Sequence, residues 1–353
     1  MIDLEASMWL GTFESASREA FPALVLAHAV YPISDLSLEH EGAALPGSRL
    51  SMIDVLERWS DILPSLTRVA EKLRTAPYIA GLPLESLTTL APVKPRQIIC
   101  AGANYRKHVI DILMDHPESG GDPGCSREER RRRAELIMDH RATVGQPFAF
   151  IKGASALLDP FADLTIPADS RETDWELELG VVMGKSARRV KRERALEYVA
   201  GYVVCNDISA RDHISRPDIP ALGLDFVAGK SGPGFLPLGP ALVPSEFISN
   251  PQELMLSLRL NGEVMQHEST ANMIFSVQRL IEFISTHMQL LPGDVICTGS
   301  PSGNGTHHRR FLRPGDILEG SIDKLGTQRN RCVAEALAEG AVLHRPFVPL
   351  KAG

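Results

Sequence analysis

The 353-residue sequence predicts a β-rich α+β protein, with a small N-terminal α/β domain over residues 1–95 and a larger, β-dominated domain over 96–353. Three observations carry that reading. At about 100–200 residues per domain, the length accommodates two unequal domains. From residue 147 onward, short apolar or alternating runs follow one another with turn residues between them, the pattern of strands. Helical periodicity in that region is confined to "KRERALEYVA" and "SVQRLIEFISTHMQL", which argues against a doubly wound parallel sheet with its alternating helices.

The first domain opens with a strand-like pair, "LGTFESA" and "PALVLAHAVYPI", and continues into the helical pattern "SMIDVLERWSDILPSLTRVAEKLRTA". It ends at "LAPVKPRQIICAG", where prolines beside a new buried strand mark a boundary. No catalytic cluster lies before that point, so this domain reads as a cap or packing unit. Residues 113–145 read as an insertion and candidate lid. Within it "DHPESGGDPGCS" is a Gly/Pro/Ser-rich loop, and Ser126 followed by Glu129 makes a capping box for the helix "REERRRRAELIMDHRA". Glu128, Glu129 and Glu135 flank the run Arg130 to Arg133, which therefore reads as a solvated helix face rather than a phosphate site. The strands that follow are "PFAFIKG", "DLTIP", "WELELGVVMG", "GYVVCNDIS", "ALVP", "LMLSLRLNGEVMQ", "DVICTG" and "DILEGSID", with an Asn-Gly hairpin signal at Asn261 and Gly262.

Composition narrows the function classes. Hydrophobic residues at 44% and charged residues at 23% are ordinary for a soluble globular chain. A net charge of −7 argues against a nucleic-acid surface, so the expected partners are small molecules. The five cysteines, Cys100, Cys125, Cys205, Cys297 and Cys332, form no CxxC pair, which fits reduced thiols rather than a disulfide framework or a zinc site. Three of them sit in apolar strand-like runs and read as small buried hydrophobes. The N-terminus lacks a basic region leading into an apolar one, and no run reaches the ~18–20 apolar residues that cross a bilayer. A cytoplasmic protein with no membrane contact is the expectation.

Within this frame "DWELELGVV", residues 174–182, reads as one strand with an anomaly. Glu176 and Glu178 are two apart, so period-two alternation points both carboxylates the same way. Either the strand is half buried and both face water, or they hold a hard cation such as Mg²⁺, Ca²⁺ or Mn²⁺, whose preferred ligands are oxygens. The second reading needs a third ligand, and Asp207, in the polar cluster Asn206, Asp207, Arg211 and Asp212 at the end of the strand "YVVC", is the candidate. Two other motifs fail. "AGKSG" lacks the glycine a P-loop needs, since position 224 is Leu, and His307 and His308 in "THHRRF" have no zinc-spaced partner and read as an exposed loop pair.

At this point the sequence resembles the fumarylacetoacetate hydrolase superfamily. "ICAGANYRKHV", "DWELELGVVMG", "GYVVCNDISARD", "AGKS", "RLNGEVMQ", "MIFSVQRLIEFIS" and "LLPGDVICTGSPSGNG" follow in that family's order and spacing over roughly residues 96 to 335. The resemblance implies a mixed β-roll or barrel-like fold, usually dimeric. It also implies that Glu176, Glu178 and Asp207 ligate Mg²⁺ or Mn²⁺. A cation between adjacent carboxylates removes their repulsion.

The same resemblance assigns further roles. His108 matches the family's lid histidine, with Asp111 at i+3 on a helix to orient it, where related enzymes often carry Glu. Lys230 matches the lysine facing the substrate, and it and Arg211 would stabilise an oxyanion or enolate, with an ion pair to Asp212 as the structural alternative for Arg211. Ile214 stands where the namesake enzyme has a glutamine, so the tail of the substrate is read differently here. Thr298 and Ser300 lie in the loop that closes on the substrate carboxylate. The implied function is a metal-dependent hydrolase cleaving a C–C bond in an acylpyruvate or related 2,4-dioxo acid, in catabolism of aromatic compounds or sugar acids. The same metal enolate chemistry used by a 2-oxo acid decarboxylase, hydratase or tautomerase is the alternative, and a homodimer is expected.

Overall fold

The computed structural model describes residues 8–16, 18–36, 38, 50–75, 79–115, 125–219, 223–344 and 347. The protein is β-rich α+β, as the strand patterning predicts. Its N-terminal part is a five-stranded sheet in the order Leu82–Pro83, Ala29–Pro32, Arg18–Leu26, Met8–Ser15, Thr88–Leu90, antiparallel throughout. The predicted helical stretch forms two helices, Met52–Glu57 and Trp59–Thr75. Ser51 and Asp54 close a reciprocal capping box at the start of the first. Along the second, Trp59, Ile62, Leu66, Val69, Ala70 and Leu73 recur at helical spacing and form its buried stripe.

The larger part is built from two mixed sheets. One has six strands in the order Val243–Pro244, Val199–Asn206, Leu177–Met183, Val295–Cys297, Ile98–Gly102, Phe148–Lys152. Its neighbours are antiparallel except Val295–Cys297 with Ile98–Gly102. The strands Val199–Asn206 and Leu177–Met183 are buried at every position, so their apolar runs are continuous instead of alternating. Cys100, Cys205 and Cys297 lie in this sheet as buried free thiols. The second sheet, of five strands, runs Glu263–Ser269, Met255–Leu260, Ile317–Ile322, Gly326–Ala334, Leu164–Ile166. Asn261 and Gly262 both take positive φ, 53° and 86°, the turn that an Asn-Gly hairpin requires.

Helices are few, as expected. Val277–His287 is α-helical, whereas the "KRERALEYVA" pattern yields the 3₁₀ helix Arg192–Tyr198. "AGKS" closes a short helix, Phe226–Lys230, capped by Asp225. Of the insertion, the helices Arg106–Asp115 and Arg127–Val144 are described, and residues 116–124 of the loop between them lie outside the described residues. Ser126 caps the second helix, while the Glu129 carboxylate accepts from Arg133 (2.6 Å). Arg131 and Glu135 pair likewise (3.2 Å), so Arg131 to Arg133 form a solvated face, while Arg130 is half buried. Among the described residues no helix is long and apolar enough to cross a membrane.

The two parts share one apolar core. A single buried cluster runs from Leu10, Phe13, Leu56 and Trp59 to Val182, Ala200 and Leu242. Leu10 and Leu242 exchange backbone hydrogen bonds of 2.9 and 2.8 Å, and the Thr12 hydroxyl donates to the Pro92 carbonyl (2.8 Å).

Candidate active site

The register of the six-stranded sheet positions the acids. Glu178 lies within Leu177–Met183, opposite Cys205. Glu176 does not belong to that strand, which corrects the single strand expected over 174–182. It occupies a break after the two-residue strand Thr173–Asp174. The reason is a side chain in the ladder: Asn206 Oδ1 accepts the Glu176 backbone N–H (2.8 Å), and the Asp207 N–H then donates to the Glu176 carbonyl (2.8 Å). Glu176 and Glu178 nonetheless converge with Asp207, and one carboxylate oxygen from each lies within 4.8 Å of the others. Glu176 is 7% exposed and the other two 1%, so the water-facing alternative is excluded.

Three buried carboxylates this close cannot all be charged without cations nearby. Burial, with the charges of Asp207 and Glu176, pushes the Glu178 carboxyl well above its ordinary range. Glu176 moves the other way: burial would raise it, but Arg211 and Lys230 outweigh that and hold it well below. The Lys230 ammonium lies between two of the acids, donating to Glu176 Oε2 (2.6 Å) and to Asp207. Burial alone would strip its proton, but Asp207 and Glu176 raise its pKa instead. Arg211 donates to Asp174 Oδ2 (2.9 Å) and to Glu176, not to Asp212, whose carboxylate accepts from Ser170 and the Arg171 N–H.

Two groups in this network went unassigned from sequence. Asp174 is buried and accepts from the backbone of Trp175 (2.8 Å) and Gly305 as well as from Arg211, tying the acid cluster to the turn Gly305–His308. Lys152, 1% exposed, donates to the carbonyls of Ile208 (3.1 Å), Phe235 (3.0 Å) and Lys230, drawing together the segments that carry Asp207 and Lys230. Its Nζ is 2.9 Å from Asp207 Oδ1 but outside hydrogen-bonding geometry, and that buried oxygen has no hydrogen-bond partner. The available signal was in "PFAFIKG": a lysine at the end of an apolar strand, on the same face as Phe148 and Phe150.

His108 lies on the helix Arg106–Asp115 and is buried. Burial pushes its imidazole down to about 4, so it is neutral at ordinary pH. Asp111 follows on the same helix, but its Oδ2 accepts from the Ser302 hydroxyl (2.6 Å) and stands 3.7 Å from His307 Nδ1. His307 is thus not a bare loop residue. Asn304 caps its turn, and the His308 ring nitrogen sits 3.2 Å from the Met265 carbonyl, so His307 is held where it lines the cavity. Thr298 and Ser300 part ways: the Thr298 hydroxyl donates to the Leu179 carbonyl (2.9 Å) inside the sheet, whereas Ser300 lines the cavity and accepts from Gln266 (2.8 Å).

These groups open into a cavity of about 960 Å³. Its floor is Glu176, Glu178, Asp207 and Lys230. His108, Arg211 and His307 stand around it, and Ile214 lies in its wall.

Comparison with known proteins agrees with the architecture. The family model for the fumarylacetoacetate (FAA) hydrolase C-terminal domain matches residues 97–333, more than half the chain. A mitochondrial oxaloacetate tautomerase of Bos taurus is 33% identical over 286 residues, 80% of either chain. A 2,4-didehydro-3-deoxy-L-rhamnonate hydrolase of Sphingomonas sp. (strain SKA58) is 34% identical over 278 residues, 77% of this chain and 86% of that one. The solved fumarylacetoacetate hydrolase of psychrophilic Exiguobacterium antarcticum superposes with a TM-score of 0.69 at 27% identity, over 93% of this chain and 100% of that one.

Proposed function

Since the chain belongs to the fumarylacetoacetate hydrolase family, we propose that it is a divalent-metal-dependent enzyme that cleaves a C–C bond of a 2,4-dioxo acid such as an acylpyruvate. The observation that carries this is the buried convergence of Glu176, Glu178 and Asp207. An all-oxygen donor set suits Mg²⁺ or Mn²⁺, and Ca²⁺ by the same chemistry. The fit is supported by the raised Glu178 carboxyl and by the Asp207 oxygen without a hydrogen bond, both of which a cation would satisfy. When bound there, the cation supplies Lewis acidity to the 2-oxo acid end of the substrate.

The chain's own residues do the rest. Neutral His108 takes a proton from water, and the hydroxide adds to the C4 carbonyl of the dioxo acid. Scission of the C3–C4 bond leaves a carboxylic acid and the enolate of pyruvate, which regains a proton at C3. Lys230 and Arg211 are cations already drawn to the site, and they stabilise the negative charge on the tetrahedral adduct and the enolate. Asp207 and Lys230 are kept in place by the Lys152 bonds to the backbone around them.

A second reading, tautomerisation of a 2-oxo acid, is favoured by one feature. Asp111 accepts from Ser302 and not from His108, so the histidine–carboxylate pair expected for activating water is not formed. The tautomerase relative supports it too. The test is pyruvate release from a panel of acylpyruvates by metal-stripped protein, before and after Mg²⁺ or Mn²⁺ is restored. Metal-dependent pyruvate is expected; keto–enol exchange with unchanged substrate mass would replace hydrolysis by tautomerisation.

A further inference from the structure

The cavity is far larger than a three- or four-carbon acid needs, at the upper end of the ~300–1,000 Å³ usual for drug-sized ligands. One wall of it is apolar and begins at the acid cluster. Along the strand Phe148–Lys152, alternate residues share a face, so Lys152 reaches Asp207 while Phe150 and Phe148 continue the line toward the mouth. The Lys230 ammonium stands 5.4 Å from the centre of the Phe150 ring. Phe150 stacks on Phe226 at 4.3 Å and 12°, and Phe148 leans on Phe226 at 5.7 Å. Ile214 and Leu224 extend the wall. Phe148 and Leu224 are left 45% and 54% exposed. Large apolar side chains exposed inside a cavity and continuous with its polar floor are what a ligand's apolar part would cover.

Resting on the metal and 2-oxo acid reading above, we propose that this wall is a specificity subsite for an aromatic or similarly bulky apolar substituent on the substrate, so that the protein acts on aryl- or alkyl-substituted 2-oxo or 2,4-dioxo acids. The competing occupant is a carboxylate-ended tail, which His307 and Arg309, also in the cavity lining, would attract. The wall is favoured because it adjoins Lys230 directly, whereas His307 faces the carboxylate of Asp111.

The experiment is calorimetric binding to the Mn²⁺-loaded protein, which needs no turnover, with oxalate, pyruvate, phenylpyruvate and 2-oxoglutarate as probes. Phenylpyruvate is expected to bind about 30-fold more tightly than pyruvate, the gain from burying one ring. Phe226→Ala should reduce that advantage roughly tenfold and leave oxalate affinity unchanged. Phe148→Ala, at a position 45% exposed, should reduce it several-fold in the same way. Equal affinity for phenylpyruvate and pyruvate, a preference for 2-oxoglutarate, or an advantage that survives both variants would overturn the subsite while sparing the metal reading. Failure of oxalate to bind the wild type would overturn the metal reading, and the subsite with it.

Discussion

Burial leaves His108 unprotonated at neutral pH but also weakens it as a base, and the charges of Glu176 and Asp111 are what favour its taking a proton. Replacing it with Gln should lower kcat by at least about 100-fold, the usual worth of general base catalysis, while calorimetry shows Mn²⁺ affinity unchanged. The same burial has a cost in stability. The folded-state pKa of about 4 lies below the unfolded value, so the unfolded chain binds the extra proton and stability falls as pH drops from about 6.5 toward 4. Between pH 7 and 5 the wild type should lose about 2 kcal/mol more than His108→Leu, read from urea denaturation of the metal-free proteins. Lys152 acts through position: its Nζ meets four oxygens, three of them backbone carbonyls, and so links three segments of chain.

At the scale of elements, the loop 299–304 brings Ser300 and Asn304 to the cavity lining. Gly303 has φ of +98°, and a Cβ there would lie 2.0 Å from the Met265 carbonyl oxygen, which is backbone and cannot swing aside. Its own carbonyl accepts the Trp175 indole N–H (3.0 Å), so the loop is fastened to the segment carrying Glu176. Gly315 has nearly the same φ, +97°, with nothing within 4 Å of its would-be Cβ. The pair separates strain from collision. Gly315→Ala should cost about 1 kcal/mol and Gly303→Ala about 3 kcal/mol or more, measured as shifts in denaturation midpoint at constant m-value.

For the whole molecule, the question is whether residues 96–353 form a domain that stands without the first 95. The core argues against independence. Removing the N-terminal sheet and helices would expose the side chains that Leu10, Phe13, Leu56 and Trp59 cover, and would leave the Leu242 backbone groups unpaired. The 96–353 fragment should therefore lack a sharp cooperative thermal transition and aggregate, as followed by circular dichroism and light scattering. A fragment melting like the full chain would show that residues 96–353 fold as a domain of their own.

The sequence by itself determined the class of fold, because strand patterning, turn residues and the scarcity of helical periodicity are local properties. It also pointed to the acidic cluster: two glutamates of like facing and an aspartate at a strand end could be named as candidate ligands before any geometry was known. What it could not supply were interactions between distant segments. Asn206 entering the ladder moved Glu176 out of its strand, and Lys152 meets Asp207 across 55 residues of chain. Asp111 turned to Ser302 although helical spacing suggested His108, because a helix face has more than one neighbour and only packing chooses among them. Likewise Phe148, Phe150 and Phe226 form one wall because an edge strand and a short helix are packed together by the tertiary fold. Periodicity is encoded along the chain; the choice of partner belongs to the folded state, where burial makes each unmet charge or hydrogen bond costly.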